Sequence, residues 1–180
     1  MRRWIVTALG QDRPGIVAGV TEVLYKLGCN LEDSAMTRLE GEFAIMLIFS
    51  SAAKVTEERL RDSFAKLERQ GRLVVHLKSL NQRETSRPKK SGPTYLISVY
   101  GGDHPGIVFR VSEMLAKVGA NITDVHTHRS TGDAPSLYLM LLEVEAPPRL
   151  SLETLEHQLH TLGKTLKVEV SVRPAETSIL

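Results

Sequence analysis

The sequence predicts an α+β protein of two tandem βαββαβ units, each a four-stranded antiparallel sheet with two helices on one face. Three observations carry this. The chain repeats itself: Gly10-Gln11-Asp12-Arg13-Pro14-Gly15-Ile16-Val17 returns as Gly101-Gly102-Asp103-His104-Pro105-Gly106-Ile107-Val108, an offset of 91 positions in 180 residues. Leu24 and Leu115, Gly28 and Gly119, Asn30 and Asn121, and Asp33 and Asp124 continue the match. The hydrophobic period also switches between 2 and 3.6 in the same order in both halves. Finally, a polar, aperiodic stretch separates the halves.

Trp4 to Leu9 is a short apolar run stopped by Gly10, the pattern of a buried strand. Ile16, Val20, Val23, Leu24 and Leu27 then fall on one face of a helix, which Gly28 ends. Ile107, Val111, Met114, Leu115 and Val118 repeat that spacing before Gly119. Asn30 to Leu39 and Glu42 to Phe49 read as strands joined by a tight hairpin at Glu40-Gly41. Their counterparts are Asn121 to Arg129 and Ser136 to Val144, with a longer turn through Ser130-Thr131-Gly132-Asp133-Ala134-Pro135. A second helix buries Leu60, Phe64 and Leu67, with Thr56 as N-cap and Glu57 and Glu58 at the positive end of its dipole. Ser151, Glu153, Leu155, Leu159 and Leu162 form its copy. Last strands alternate at Leu73, Val75 and Leu77, and at Val168, Val170 and Val172. This is the ferredoxin-like pattern, with right-handed crossovers expected.

The expected divisions are a first domain over 1–80, a basic linker over 81–93, a second domain over 94–173 and a tail over 174–180, in which Ile179 and Leu180 could dock. An apolar fraction of 42% and a charged fraction of 24% fit a soluble globular chain. No apolar run reaches membrane-span length, and no signal-type cleavage site follows the basic start. One cysteine, Cys29, excludes an intramolecular disulfide and fits a reducing cytoplasm. A net charge of +2 is too small to argue for nucleic acid. Arg83, Arg87, Lys89 and Lys90 lack interleaved aromatics and read as a solvated linker. No helix-turn-helix, zinc-knuckle, nucleophile-elbow or phosphate-loop pattern is found, so neither catalysis nor direct DNA reading is expected. No cofactor is implied.

The duplicated loops are the leading site. In each, a strand ends, Pro-Gly turns the chain and a helix begins, and the first helical N–H groups suit a carboxylate. The same residues admit a purely architectural reading: a turn, a cap-like aspartate and a strand-entry asparagine. His126 and His128 point to the same side of a strand and could meet one metal, but two ligands are not a site and the first unit has Ala35 and Thr37 there. Cys29, at the partially negative end of a helix, reads as a small buried hydrophobe rather than a reactive thiol.

Strand, Asp-Arg-Pro-Gly loop, helix, Gly28-Cys29-Asn30 and hairpin in this order resemble the ACT domain family, small regulatory domains that typically bind amino acids. The resemblance covers almost the whole chain. It implies that the loop residues Asp12, Arg13, Pro14 and Gly15, and in the copy Asp103, His104, Pro105 and Gly106, hold the ligand. Asn30 and Leu31, and Asn121 and Ile122, would complete the site from the strand of a neighbouring domain. Where amino-acid-binding versions carry Asn, this chain has Asp12, which would accept from an ammonium but repel a carboxylate placed too near.

Within the family, Thr7-Ala8-Leu9-Gly10, Gly28 to Ser34 and Gly41-Glu42-Phe43 resemble two-domain transcriptional regulators that lack a DNA-binding domain. That implies a cytoplasmic, non-catalytic sensor of an amino acid such as glycine, acting on a DNA-binding activator. Exposed sheet edges and sites shared between domains make a homodimer the expected assembly. Two alternatives stand beside it. One is a regulatory subunit of an amino-acid or one-carbon enzyme, since formyltetrahydrofolate deformylases have a similar loop. The other is a dimerisation module without ligand.

Overall fold

A computed structural model describes residues 1–71, 73–80, 92–130 and 136–175. The chain divides into two units, Met1–Arg87 and Pro88–Leu180. The first runs β1 (Arg2–Gln11), α1 (Ile16–Lys26), β2 (Asn30–Leu39), β3 (Glu42–Ser51), α2 (Glu57–Gly71) and β4 (Leu73–Leu80). The second runs β5 (Thr94–Gly102), α3 (Ile107–Lys117), β6 (Asn121–Arg129), β7 (Leu137–Glu145), α4 (Leu152–Leu166) and β8 (Val168–Pro174). Sheet orders are β2-β3-β1-β4 and β6-β7-β5-β8, and every ladder is antiparallel. Each unit is the expected βαββαβ sandwich.

Alternation fixes which sheet face is buried. In β1, Trp4, Val6 and Ala8 face inward, and in β3 Phe43, Ile45, Leu47 and Phe49 do so. They enclose Ile16, Val20 and Leu24 of α1 and Leu60 and Phe64 of α2. Ile97, Val99, Met140, Leu142 and Val144 do the same against α3 and α4 in the second unit. Trp4 donates its indole N–H to Ser51 Oγ at 3.0 Å, so this large buried ring leaves no polar atom unpaired. At Gly163 of α4 the helix meets β8 closely, and a Cβ there would lie 2.8 Å from the Val168 carbonyl.

The helix ends follow from their residues. Gly28 and Gly119 sit at positive φ after α1 and α3. The Cys29 N–H bonds Leu24 O and the Gly28 N–H bonds Tyr25 O, both at 2.9 Å, the two-bond Schellman stop; Ala120 and Gly119 repeat it on Leu115 and Ala116. Thr56 caps α2 through the Arg59 N–H, and Ser151 caps α4 through the Thr154 N–H.

Several boundaries differ from expectation: β3 runs on past Phe49 to Ser51, and β7 spans Leu137–Glu145 rather than Ser136 to Val144. β1 extends beyond Trp4–Leu9 because Arg2 and Arg3 pair with Ser51 and Ser50, and Gly10 and Gln11 with Phe43 and Glu42. Pro93, read as linker, accepts from the Ala146 N–H, so backbone pairing starts before Thr94. Pro174, read as the start of the tail, pairs with Tyr95, and the Ala175 N–H donates to Thr94 O. In these last three cases backbone pairing outweighs side-chain polarity. The basic cluster Arg83, Arg87, Lys89 and Lys90, turn residues 131–135 and the Ile179-Leu180 tip lie outside the described residues. Among the described residues no helix is long and apolar enough to cross a membrane.

Candidate functional site

Each loop starts where β1 or β5 leaves its sheet. The Asp12 N–H donates to Gly41 O at 2.8 Å, and the Asp103 N–H to Ser136 O at 2.8 Å, so both loops are anchored on the hairpin that follows. Gly15 and Gly106 are the N-caps of α1 and α3, at φ 87° and 99°. Only a residue tolerant of the left-handed region turns the chain there without strain. No side chain caps either helix, so Asp12 and Asp103 are not N-caps. The Ile16 N–H turns back to Arg13 O at 3.4 Å, while Val17 and Ala18 of α1, and Val108 and Phe109 of α3, precede the first intrahelical bonds and turn their N–H groups toward an outside acceptor.

The aspartates instead meet arginines. Arg38 Nη1 lies 3.2 Å from Asp12 Oδ2, and Arg129 Nε lies 3.5 Å from Asp103 Oδ2. Sheet register explains the contact. Arg38 pairs with Phe43 and Arg129 with Tyr138, next to the hairpin residues on which the loops are anchored. Sequence reasoning missed both arginines, although they too are separated by 91 positions. The pair answers the difficulty posed by Asp12: a guanidinium beside the carboxylate offsets its repulsion of an approaching anion. Both arginine side chains remain largely exposed.

Arg13 and His104 turn the other way. Arg13 Nη2 donates to Gly71 O at 3.3 Å, and His104 Nε2 sits 2.8 Å from Leu166 O. His104 Nδ1 is 3.2 Å from Pro105 O. These carbonyls, that of Leu166 first, raise the imidazole above its ordinary pKa, and Asp103 adds to the rise while desolvation and Lys167 oppose it.

Asn30 and Asn121 are not near the loops of their own units. Asn30 pairs with Ser50, whereas Gln11 pairs with Glu42 at the other end of β3. At about 3.3 Å per residue the two positions are roughly 25 Å apart along the strand. Asn121 pairs with Glu145 and Gly102 with Leu137, which gives the second unit the same separation. Leu31 is exposed, whereas Ile122 is half-buried against its core. A register shift follows each, at Glu32 and at Thr123, a bulge that re-aims the strand just after the asparagine.

His126 Nε2 lies 3.1 Å from Asp124 Oδ2. No group of three or more His, Cys, Asp or Glu side chains is placed to hold a metal among the described residues. Cys29 is half-buried against the first core, and burial pushes its thiol pKa up, away from reactivity.

A family model of the ACT domain matches residues 2–78 and again 94–173. The chain belongs to the ACT domain family. The chain is 26% identical over 174 residues to the glycine cleavage system transcriptional repressor of Escherichia coli (strain K12), a match that spans 93% of this chain and 87% of that protein. A UPF0237 protein of Methanopyrus kandleri is 45% identical over 67 residues, 37% of this chain and 74% of its own length. A solved structure of an unknown protein from Galdieria sulphuraria superposes with a TM-score of 0.79 at 24% identity, covering 97% of this chain and 99% of that one, and shares the fold. These relationships make the protein a regulatory ACT protein.

Proposed function

We propose that the protein is a non-catalytic amino-acid sensor, with glycine the leading ligand, that controls a DNA-binding activator of glycine cleavage genes. The observation that carries this is the duplicated loop: a helix N-terminus without a side-chain cap and an Asp–Arg pair, in the same places in both ACT units. The N-terminal N–H groups and Arg38 or Arg129 receive the ligand carboxylate. Asp12 or Asp103 accepts from its ammonium. Asn30 and Leu31, or Asn121 and Ile122, come from a neighbouring ACT domain, because each asparagine lies at the far end of its own sheet from its own loop. A homodimer supplies such neighbours. Pro14 and Pro105 set the turn.

Relationship over nearly the full length to a glycine cleavage repressor supports the choice of ligand and pathway. Ligand bridging two domains favours the arrangement that binds it, and by linkage changes affinity for the partner. The test is sedimentation of the chain with the purified activator across a glycine titration. The expected result is an association constant that changes by roughly 5- to 150-fold with glycine. Absence of association at every glycine concentration overturns the proposal.

A further inference from the structure

In both units the residue after the loop aspartate is tied to the last residue of the second helix, Arg13 to Gly71 and His104 to Leu166. Terminal helix carbonyls have no partner within the helix and carry its partial negative charge, so a cation is the fitting tether. Arg13 is always a cation. His104 is one only when both ring nitrogens are protonated. Its two nitrogens face the carbonyls of Leu166 and Pro105, at 2.8 and 3.2 Å, and a carbonyl can only accept. The imidazolium satisfies both contacts, whereas the neutral ring sets one lone pair against another.

We propose that His104 is a proton-operated latch that holds the Pro105-Gly106 turn to the end of α4. Arg13 is its permanently charged counterpart in the first unit, so two loops of matching design respond differently to pH. His104 is thus a positioning residue, and its side chain is engaged away from the helix N-terminus where the ligand is proposed to sit. The charged groups around the ring come from three elements: Asp103 of its own loop, Arg129 of β6 through its pair with that aspartate, and Lys167 just past α4. Asp103 favours the charged ring and Lys167 opposes it, while the carbonyl contacts have the larger effect. Imidazole is the side chain whose ordinary charge change falls near neutral pH, which sets the test window at about pH 5.5 to 9.

The consequence for ligand binding rests on the function proposed above; the latch itself does not. Where the second loop binds glycine, its affinity falls roughly 3- to 10-fold as the latch deprotonates, the value of one hydrogen bond. The test uses the full chain without ligand: NMR titration of the His104 ring and of the Gly15 and Gly106 amides between pH 5.5 and 9. The ring and the Gly106 amide should share one midpoint above 6.5, with Gly15 unmoved. In His104→Arg the Gly106 titration should vanish. In Arg13→His the Gly15 amide should acquire one, which moves the latch to the first unit. A ring midpoint at or below 6.5, a Gly106 amide that ignores the ring, or the same Gly106 titration in His104→Arg would overturn the proposal. Because no ligand is present, a chain that fails to bind glycine refutes the proposed function and leaves this test intact.

Discussion

Arg38→Ala separates the binding role of the Asp–Arg pair from a structural one. The pair is a single contact at 3.2 Å, with side chains 69% and 30% exposed. Such a pair is worth about 0–1 kcal/mol of stability after solvent screening. For a domain of this size, about 1 kcal/mol moves the midpoint by roughly 4–8 °C, so Arg38→Ala should lower Tm by no more than that. Binding is affected more strongly. Without Arg38, the Asp12 carboxylate faces the ligand carboxylate unbalanced. At a separation of about 5 Å, Coulomb repulsion is about 0.8 kcal/mol in bulk water and about 3.3 kcal/mol at an effective dielectric of 20. Glycine affinity at the first loop should therefore drop roughly 4- to 250-fold, read by isothermal titration calorimetry. Adding Asp12→Asn to Arg38→Ala removes the repulsion and should recover part of the loss, a coupling that a mutant cycle measures directly. An Arg38→Ala chain that binds glycine as tightly as the parent would refute this electrostatic reasoning. So would additive effects of the two substitutions.

Other outcomes follow from single contacts. Gly15→Ala places a Cβ at φ 87° with no atom within 4 Å; the cost is therefore purely conformational, about 1–2 kcal/mol, read by thermal denaturation. Gly163→Ala meets the Val168 carbonyl at 2.8 Å and should lose about 1–3 kcal/mol through overpacking, despite the better helix propensity of alanine. Ser51→Ala leaves the buried Trp4 indole N–H without its acceptor and should cost about 1–3 kcal/mol. Trp4 is the only tryptophan, so its fluorescence reports that change directly. Because the folded-state pKa of His104 is raised, its stabilising contribution is complete below the unfolded value near 6.5 and is lost as pH rises through the folded value. Denaturation midpoints of the parent and His104→Arg should diverge in that upper window, with the parent falling.

What was legible in the sequence is what depends on local period and turn chemistry. The α1 stripe Ile16, Val20 and Leu24, the stop at Gly28 and the hairpin at Glu40-Gly41 are each set by neighbours within a few residues, and each stands where the pattern put it. The repeat identified the loops as equivalent. The tether from Arg13 to Gly71 and the pair of Arg38 with Asp12 were not legible, because they join residues 58 and 26 positions apart and depend on sheet register. The 91-residue offset could have pointed to Arg38 and Arg129, since a duplicated charge pair is unlike a random solvated surface. Asp12 read as cap-like turned out to be an ion-pair partner, because Gly15 occupies the cap and the loop is hung on the hairpin instead.

The most direct measurement is a thermal-shift screen of the full chain against the twenty amino acids, with Asn30→Ala and Asn121→Ala alongside. A ligand that binds only the folded state stabilises by RT ln(1 + [L]/Kd), about 2.7 kcal/mol at a hundredfold excess over Kd. The expected result is a rise with glycine that shrinks in each asparagine variant, whose exposed side chain the fold does not need. No rise with any amino acid, or a rise that both variants keep in full, would contradict ligand binding at these loops.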